Sequence, residues 1–442
     1  MSPSTRRRFL KSSTLSAVSA AAATAPGILR SAGEAEKIPL AIIGPGGMGM
    51  NHVRTLCQRK DVAFHWVVDA DRQRAEAAAK HIQDTTGQTP KISQDMRPAI
   101  EDAAVRACFM ATPDHWHAPG AIYAADAGKH VYVEKPCSHN LREGRLMIDA
   151  AARNHVRMQV GTQSRGTAHV RTAIEKIRGG VIGEVLIAKA WNSQLRKNHG
   201  HQPFTEPPAS LDYEMWLGPA PKVPFRSTYH PAHWRWFHHF GTGDIGNDGV
   251  HDIDIARWGL GVTSHPNRVT ALGSKLFFDD DQQWPDSIYA GFEYDTEGGK
   301  RQLFYEQRDW SPYVQEGHEN GCAWYGTEGM VVGGKARGWR IFGPKNKLIE
   351  EIPANGVDLA AHHENFLAAV RENLAAGPGR DLHASIEIHH LSSSLCHLAN
   401  IAARTGRNLR FDPETETIAG DEEAAALLRR EYREHWATPR GV

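Results

Sequence analysis

The chain has 442 residues, with 51 Lys+Arg against 51 Asp+Glu and a hydrophobic content of 40%. That balance leaves no electrostatic footprint for nucleic acid and no attraction to an acidic membrane surface, and the length suits two domains plus a targeting segment. Five dispersed cysteines (Cys57, Cys108, Cys137, Cys322 and Cys396) form no CxxC, which argues against a disulfide framework or a zinc knuckle.

Residues 1–36 read as a signal peptide. Thr5-Arg6-Arg7-Arg8-Phe9-Leu10-Lys11 is a basic start, an Ala-rich and weakly apolar stretch covers 15–25, and small residues follow. Paired arginines before Phe-Leu-Lys are the twin-arginine pattern, which predicts passage of the folded protein through the twin-arginine export machinery to the periplasm. The apolar stretch is too short to be a stable membrane span, and no later segment is apolar and long enough. Ala23-Thr24-Ala25 has the small-x-small form of a cleavage site, but Pro26 follows it.

The next segment alternates strand and helix. Strands are predicted at 38–43, 62–69, 105–111, 130–134 and 156–160. Helices are predicted from the glycine turn to about 60 and at 71–84, 118–128 and 141–154. Regular βα alternation predicts a doubly wound parallel sheet, an N-terminal Rossmann domain over residues 37–160. After residue 161 the pattern changes. A helix at 168–178 leads into a strand near 183–187, then an irregular Trp/His/Pro-rich section runs to 240. A helix is predicted at 247–258, and strands without intervening helices near 267–278, 287–294, 300–306 and 330–332. Long helices are predicted at 358–375 and 384–405, and a charged helical surface wrap from 421. Residues 161–442 are therefore expected to form an α+β domain for substrate binding and oligomerisation, with a large, open, mostly antiparallel sheet. An exposed sheet face predicts a homo-oligomer.

Gly44-Pro45-Gly46-Gly47-Met48-Gly49 follows a strand and opens a helix, the context a dinucleotide fingerprint requires. Glycines let the chain turn tightly and let pyrophosphate approach the helix N-terminus. An acid should follow about twenty residues later to bond the ribose hydroxyls, and Asp69 ends the second strand there. A carboxylate at this point repels a 2′-phosphate and favours NAD. Arg72 close by offsets that in part, so NADP stays open.

Further motifs lie at strand ends: Thr112-Pro113-Asp114-His115-Trp116-His117, Glu134-Lys135-Pro136, Gly161-Thr162-Gln163-Ser164-Arg165, and the stretch from Gly243 through Asn247, Asp248 and His251 to Asp254. Together they resemble the glucose–fructose oxidoreductase, inositol dehydrogenase and rhizopine-catabolism (Gfo/Idh/MocA) family, in its exported bacterial branch, over almost the whole chain after the signal. The resemblance implies a tightly bound nicotinamide cofactor and a sugar or polyol substrate. It places Lys135 beside the nicotinamide and the reacting carbinol, as acid/base or hydroxyl polariser. Loss of hydride from C–H accompanies loss of the hydroxyl proton, so a positioned base suits that role. Glu134 is expected on the nicotinamide ribose, Thr112, Pro113 and His117 along the cofactor, and Gln163 and Arg165 on the nicotinamide side or the substrate. In the family an Asp stands four residues before the helix-start His. Here His251 matches the His and Asn247 occupies the Asp position. Asn bonds a hydroxyl but cannot take its proton, so His251 is expected to relay or bind the hydroxyl and Asn247 to orient substrate.

The counts of 25 His and 12 Trp suit a surface that grips polyols, and equally a composition bias. Tyr229, His230, His233, Trp234 and Trp236 are the candidate sugar contacts. No acidic or cysteine partner completes a ligand set with His199, His201, His238 and His239, so no metal is expected. Three readings remain open: an NAD(P)-dependent oxidoreductase on a sugar, polyol or glycoside hydroxyl; a glycosidase or lyase cycling NAD through oxidation, elimination and reduction; and a non-catalytic sugar-binding protein.

Overall fold

Six residues from Ile38 to Ile43 (β1) are buried along nearly their whole length, the burial a central parallel strand requires. In this computed structural model the described residues are 37–442, except Pro312 and 376–379; the signal-like segment lies outside them. β1 is joined by β2 (Val62–Val68), β3 (Lys91–Ser93), β4 (Ala107–Met110), β5 (His130–Val133) and β6 (Met158–Val160). The sheet order is β3-β2-β1-β4-β5-β6, and every neighbouring pair is parallel. The order reverses between β1 and β4, which opens a crevice at the strands' carboxyl ends. The crossovers hold α1 (Gly47–Cys57), α2 (Arg72–Thr86), the short α3 (Arg97–Glu101), α4 (Asp114–Asp126) and α5 (Leu141–Arg153). Asp71 caps α2 by accepting from Gln73 N at 3.1 Å, and Asn140 caps α5 by accepting from Glu143 N at 3.0 Å.

The second sheet has ten strands. In chain order they are β7 (Val185–Asn192), β8 (Arg268–Ser274), β9 (Ser287–Thr296), β10 (Gly299–Arg308), β11 (Asn320–Gly326), β12 (Met330–Gly334), β13 (Gly338–Gly343), β14 (Lys347–Ile352), β15 (Leu409–Asp412) and β16 (Thr417–Ile418). Only the β7/β10 pair is parallel. The helices between them are α6 (Ala168–Arg178), α7 (Tyr213–Leu217), α8 (Val250–Leu260), α9 (Leu359–Leu374), α10 (Ile386–Thr405) and α11 (Glu422–Ala426). α8 and α10 supply Val250, Ile253, Ala256, Leu395, Leu398 and Ala402 to a core shared with Trp324, Trp339, Tyr294 and Tyr305 of the sheet. The other face carries exposed apolar side chains: Leu272 (79% accessible), Tyr289, Phe304, Tyr325 and Leu186.

The doubly wound parallel sheet and the second, mostly antiparallel sheet are as expected; several elements differ in detail. The helix expected at 118–128 opens at Asp114, with Pro113 as its N-cap residue. The helix expected from 247 is a π-turn over Ile245–Gly249 before α8 begins. The tail is helical only at α11 and is not a mere surface wrap. Arg430 is buried on Glu143 at 2.7 Å, and Ala437 enters the core beneath α4 and α5. The first domain's core is completed from the far end of the chain: Phe366, Leu367 and Val370 of α9 pack with Leu40, Phe109 and Tyr132. All five cysteines are buried free thiols, and no helix among the described residues is long and apolar enough to cross a membrane.

Candidate active site

The crevice at the strand-order reversal is a cavity of about 280 Å³. At one end, β1 runs into Gly44, whose φ of +79° lies in the left-handed region. A Cβ there would stand 2.8 Å from Thr112 N. A Cβ on Gly49 would run into the Gly44 carbonyl, whereas one on Gly47 would meet nothing within 4 Å. Gly49 thus closes the turn, while Gly46, Gly47 and Met48 line the cavity. Among the described residues no side chain caps the N-terminus of α1, which leaves that end of the helix ready for an anion. Asp69 lines the wall just past β2, its Oδ1 accepting from Asp71 N at 2.9 Å. Burial pushes its carboxyl up to about 7, against that hydrogen bond and the nearby charge of Arg74. Thr112 Oγ1 is buried at the same cavity without a partner among the described residues. A glycine cradle, an uncapped helix start, an acid at the second strand's end and an unpaired hydroxyl fit a nicotinamide dinucleotide.

At the other end stand Glu134 and Lys135, just past β5. Lys135 Nζ donates to the Asn247 carbonyl. Burial lowers the pKa of Lys135, against the raising charges of Glu134 and Asp248. Glu134 Oε1 accepts from His52 Nε2 at 3.0 Å and Gln163 Nε2 at 2.9 Å. Burial disfavours this carboxylate, but the His52 hydrogen bond and the His52 and Lys135 charges outweigh it and bring it to about 2. With His52 Nε2–H on Glu134, His52 Nδ1 accepts from His363 Nε2 at 2.9 Å, so a histidine pair stands behind Glu134. His117 bridges the two motif loops, Nδ1 lying 2.6 Å from Pro136 O and Nε2 2.8 Å from Thr112 O.

Asn247 lines the cavity, yet both side-chain groups are held by protein. Oδ1 accepts from Arg235 Nε at 2.9 Å, and Nδ2 donates to Asp244 Oδ1 at 2.9 Å. Its next neighbour Asp248 is tied to Arg196 at 2.7 Å. His251, on the first turn of α8, lines the cavity. Burial, then the charges of Lys135 and Lys335, lower it to about 3, so it is a neutral imidazole at neutral pH. The site therefore offers two buried nitrogen bases, Lys135 and His251, with no carboxylate at the Asn247 position to take a proton.

The structure gathers Gly44, Gly46, Gly47, Met48, Asp69, Thr112, Pro113, His117, Glu134, Lys135, His230, Trp234, Asn247 and His251 around one cavity. Six expected contacts lie elsewhere. Arg72 is on the exposed side of α2, bonded to Glu76 at 2.7 Å; of the two α2 arginines, Arg74 is the one that lines the cavity. Gln163 supports Glu134 from behind. Arg165 forms a buried two-pronged pair with Asp254, at 2.7 and 2.9 Å, which satisfies its charge within the protein. Tyr229 packs edge-on against Phe237 and Phe240. His233 packs at a tilt against His199, their ring centres 4.2 Å apart. Trp236 is likewise core. The sequence patterns had not singled out Arg74, Arg235, His52 or His363. His52 had one visible signal: a polar residue on the stripe Gly49, Val53 and Leu56 that α1 buries. Among the described residues, one group of three metal-ligating side chains converges, His265, His390 and Glu416. Arg145 already pairs with that carboxylate.

A family model described as the oxidoreductase family NAD-binding Rossmann fold matches residues 38–162, and one described as the oxidoreductase family C-terminal alpha/beta domain matches 189–438. Levoglucosan dehydrogenase of Pseudarthrobacter phenanthrenivorans is 27% identical over 244 residues, 53% of this chain and 54% of that protein. A glycosyl hydrolase family 109 protein of Shewanella sp. MR-4 is 26% identical over 159 residues, 35% of each chain. The chain thus spans about half the length, or less, of these curated relatives. The WlbA dehydrogenase of Bordetella pertussis, solved with NADH and UDP-GlcNAcA, shares the fold with a TM-score of 0.63 at 19% identity, over 85% of this chain and 99% of that one. With both halves matched, and the glycine turn, Asp69 and Lys135 at one cavity, this chain belongs to the Gfo/Idh/MocA oxidoreductase family and carries its NAD-binding Rossmann domain.

Proposed function

We propose that the protein is an NAD-dependent oxidoreductase acting on a CH–OH group of a sugar, polyol or glycoside. The observation that carries this reading is one cavity with a dinucleotide cradle at one end and a buried lysine at the other. The cofactor, when bound, accepts the hydride. The chain's residues manage the rest. Gly44, Gly46, Gly47 and the start of α1 would hold the pyrophosphate, Asp69 the adenosine ribose, and Glu134 the nicotinamide ribose. Burial lowers the proton affinity of Lys135, so its amine can take the hydroxyl proton as the carbonyl forms. His251, neutral at working pH, offers a second hydrogen-bonding nitrogen to the substrate.

A second reading has its own support. Relatives named as glycosyl hydrolases match part of the chain, and the cavity holds two bases rather than one. A redox-neutral cleavage needs two proton acceptors, one for the oxidised hydroxyl and one for the C–H beside the new carbonyl. Export by the twin-arginine route belongs to the same proposal, as does a second copy covering the exposed face of Leu272, Tyr289 and Phe304. Free dinucleotide is scarce outside the cytoplasm, so a periplasmic enzyme would keep its cofactor bound.

The test is to purify the exported protein natively, denature it and identify any released dinucleotide by mass. Stoichiometric NAD, with net reduction on a sugar panel, supports the dehydrogenase. NAD with release of reducing sugar and no net reduction supports the cleavage cycle. Protein that neither carries nor binds dinucleotide would refute both. Replacing Arg6 and Arg7 by lysine should hold the protein in the cytoplasm; unchanged export would remove the twin-arginine part.

A further inference from the structure

A second cavity, of about 550 Å³, shares no lining residue with the dinucleotide crevice. Its walls include the loop after β5, the 238–242 stretch, α10 and the chain beyond α11. A space of this size takes a small molecule.

The walls carry buried polar atoms with no hydrogen-bond partner among the described residues. Asn400 Nδ2 donates to the Thr242 carbonyl at 2.8 Å, but its Oδ1 accepts nothing. Arg430 directs Nε to Glu143 at 2.9 Å and Nη2 to the His115 carbonyl at 2.8 Å, while Nη1 is unmatched. His238 Nε2 and both ring nitrogens of His139 complete no bond either. Burying polar atoms unpaired is costly, so these call for an occupant that bonds them.

What they can bond decides the occupant's class. Asn400 Oδ1 only accepts, and Arg430 Nη1 only donates. Burial brings His238 down to about 4 and holds His139 well below the usual imidazole range. Both rings are therefore neutral at neutral pH, each with one donor and one acceptor nitrogen. The Arg430 charge is already met by Glu143, and at the exposed rim Arg404 and Arg429 stand with Glu431. An anion would leave Asn400 Oδ1 unmatched, and a cation would leave Arg430 Nη1 unmatched. Hydroxyl groups donate and accept, and suit both. These histidines form no metal set: among the described residues only His265, His390 and Glu416 converge in that way.

We propose that this second cavity is a binding site for a neutral, hydroxyl-rich ligand, a monosaccharide or cyclic polyol, separate from the active site. Water, at about 30 Å³ a molecule, is the alternative occupant.

The experiment is equilibrium dialysis of the full chain, with NAD added, against labelled glucose, galactose and myo-inositol. Ala426, exposed at the end of α11, lines the cavity, so a large side chain there plugs it from outside. At least one of the three probes should bind at a site that Ala426→Trp closes, lowering the number bound by one per chain, while NAD affinity and melting temperature hold. His238→Leu should weaken the same site by about threefold or more, the loss of one hydrogen bond. No binding of any probe, or binding unchanged in both variants, would leave water as the occupant and overturn the proposal. So would inorganic phosphate displacing the probe at a lower concentration than the unlabelled sugar does, the mark of an anion site. NAD reduction is read separately: a sugar that binds here in a protein that reduces no cofactor would retire the oxidoreductase reading and leave this one standing.

Discussion

At the Gly44 end of the cavity a ligand would meet mainly backbone: a left-handed glycine, an uncapped helix start and one acid, Asp69. At the Lys135 end it would meet side chains fixed by other side chains, with His52 and Gln163 behind Glu134, and Asp244 and Arg196 behind Asn247. The first end depends on what is missing, namely Cβ atoms; the second depends on partners brought from distant segments. Binding and chemistry should therefore separate cleanly on mutation.

The largest expected effect is at the side-chain end. Lys135→Met should lower turnover by about 10²–10⁴, the usual contribution of a positioned acid/base, while NAD titration still saturates; a loss under tenfold would remove Lys135 from the chemistry. Next is the backbone end. Gly44→Ala forces a Cβ to 2.8 Å from Thr112 N at positive φ, and such strain costs about 1–3 kcal/mol. Thermal melting and NAD affinity should both fall in this variant, the reverse of the Lys135 pattern.

A pH dependence sharpens the contrast further. Asp69 sits at about 7 in the empty protein because burial disfavours its charge. Ribose hydroxyls donate to the ionised form, so NAD binding should release a proton, and affinity should rise with pH through about 7, by at most about tenfold per pH unit. Asp69→Asn should flatten that profile in a titration series; a profile falling with pH would contradict the assignment. The smallest effects come from the α2 arginines. Arg72→Ala should change stability by no more than about 0.5 kcal/mol and leave cofactor affinity alone. Arg74→Ala should lower affinity for NADP relative to NAD, as measured by competition.

These differences also explain what was legible in the sequence. The glycine turn, Asp69, Lys135, Asn247 and His251 stand in short motifs whose spacing carries the geometry. His52 could not be assigned that way, because its partner His363 is 311 residues away. Arg165 shows the opposite error: it stands in a motif, but Asp254 on α8 claims its charge. Arg235 lay inside an irregular aromatic section, where spacing says nothing about which ring or guanidinium turns inward. The fold classes were readable because hydrophobic periodicity is local. β13 and β14 are not legible as strands because the charged Arg340, Lys347 and Glu350 break the apolar run.

The most direct measurement is a single-turnover experiment. NAD-loaded protein is mixed with a panel of sugars, polyols and sugar acids, and nicotinamide reduction is followed in wild type and Lys135→Met. The account predicts a fast reduction with at least one member of the panel, slowed by about 10² or more in the variant. Reduction at the same rate in both proteins would contradict the placement of the chemistry at Lys135.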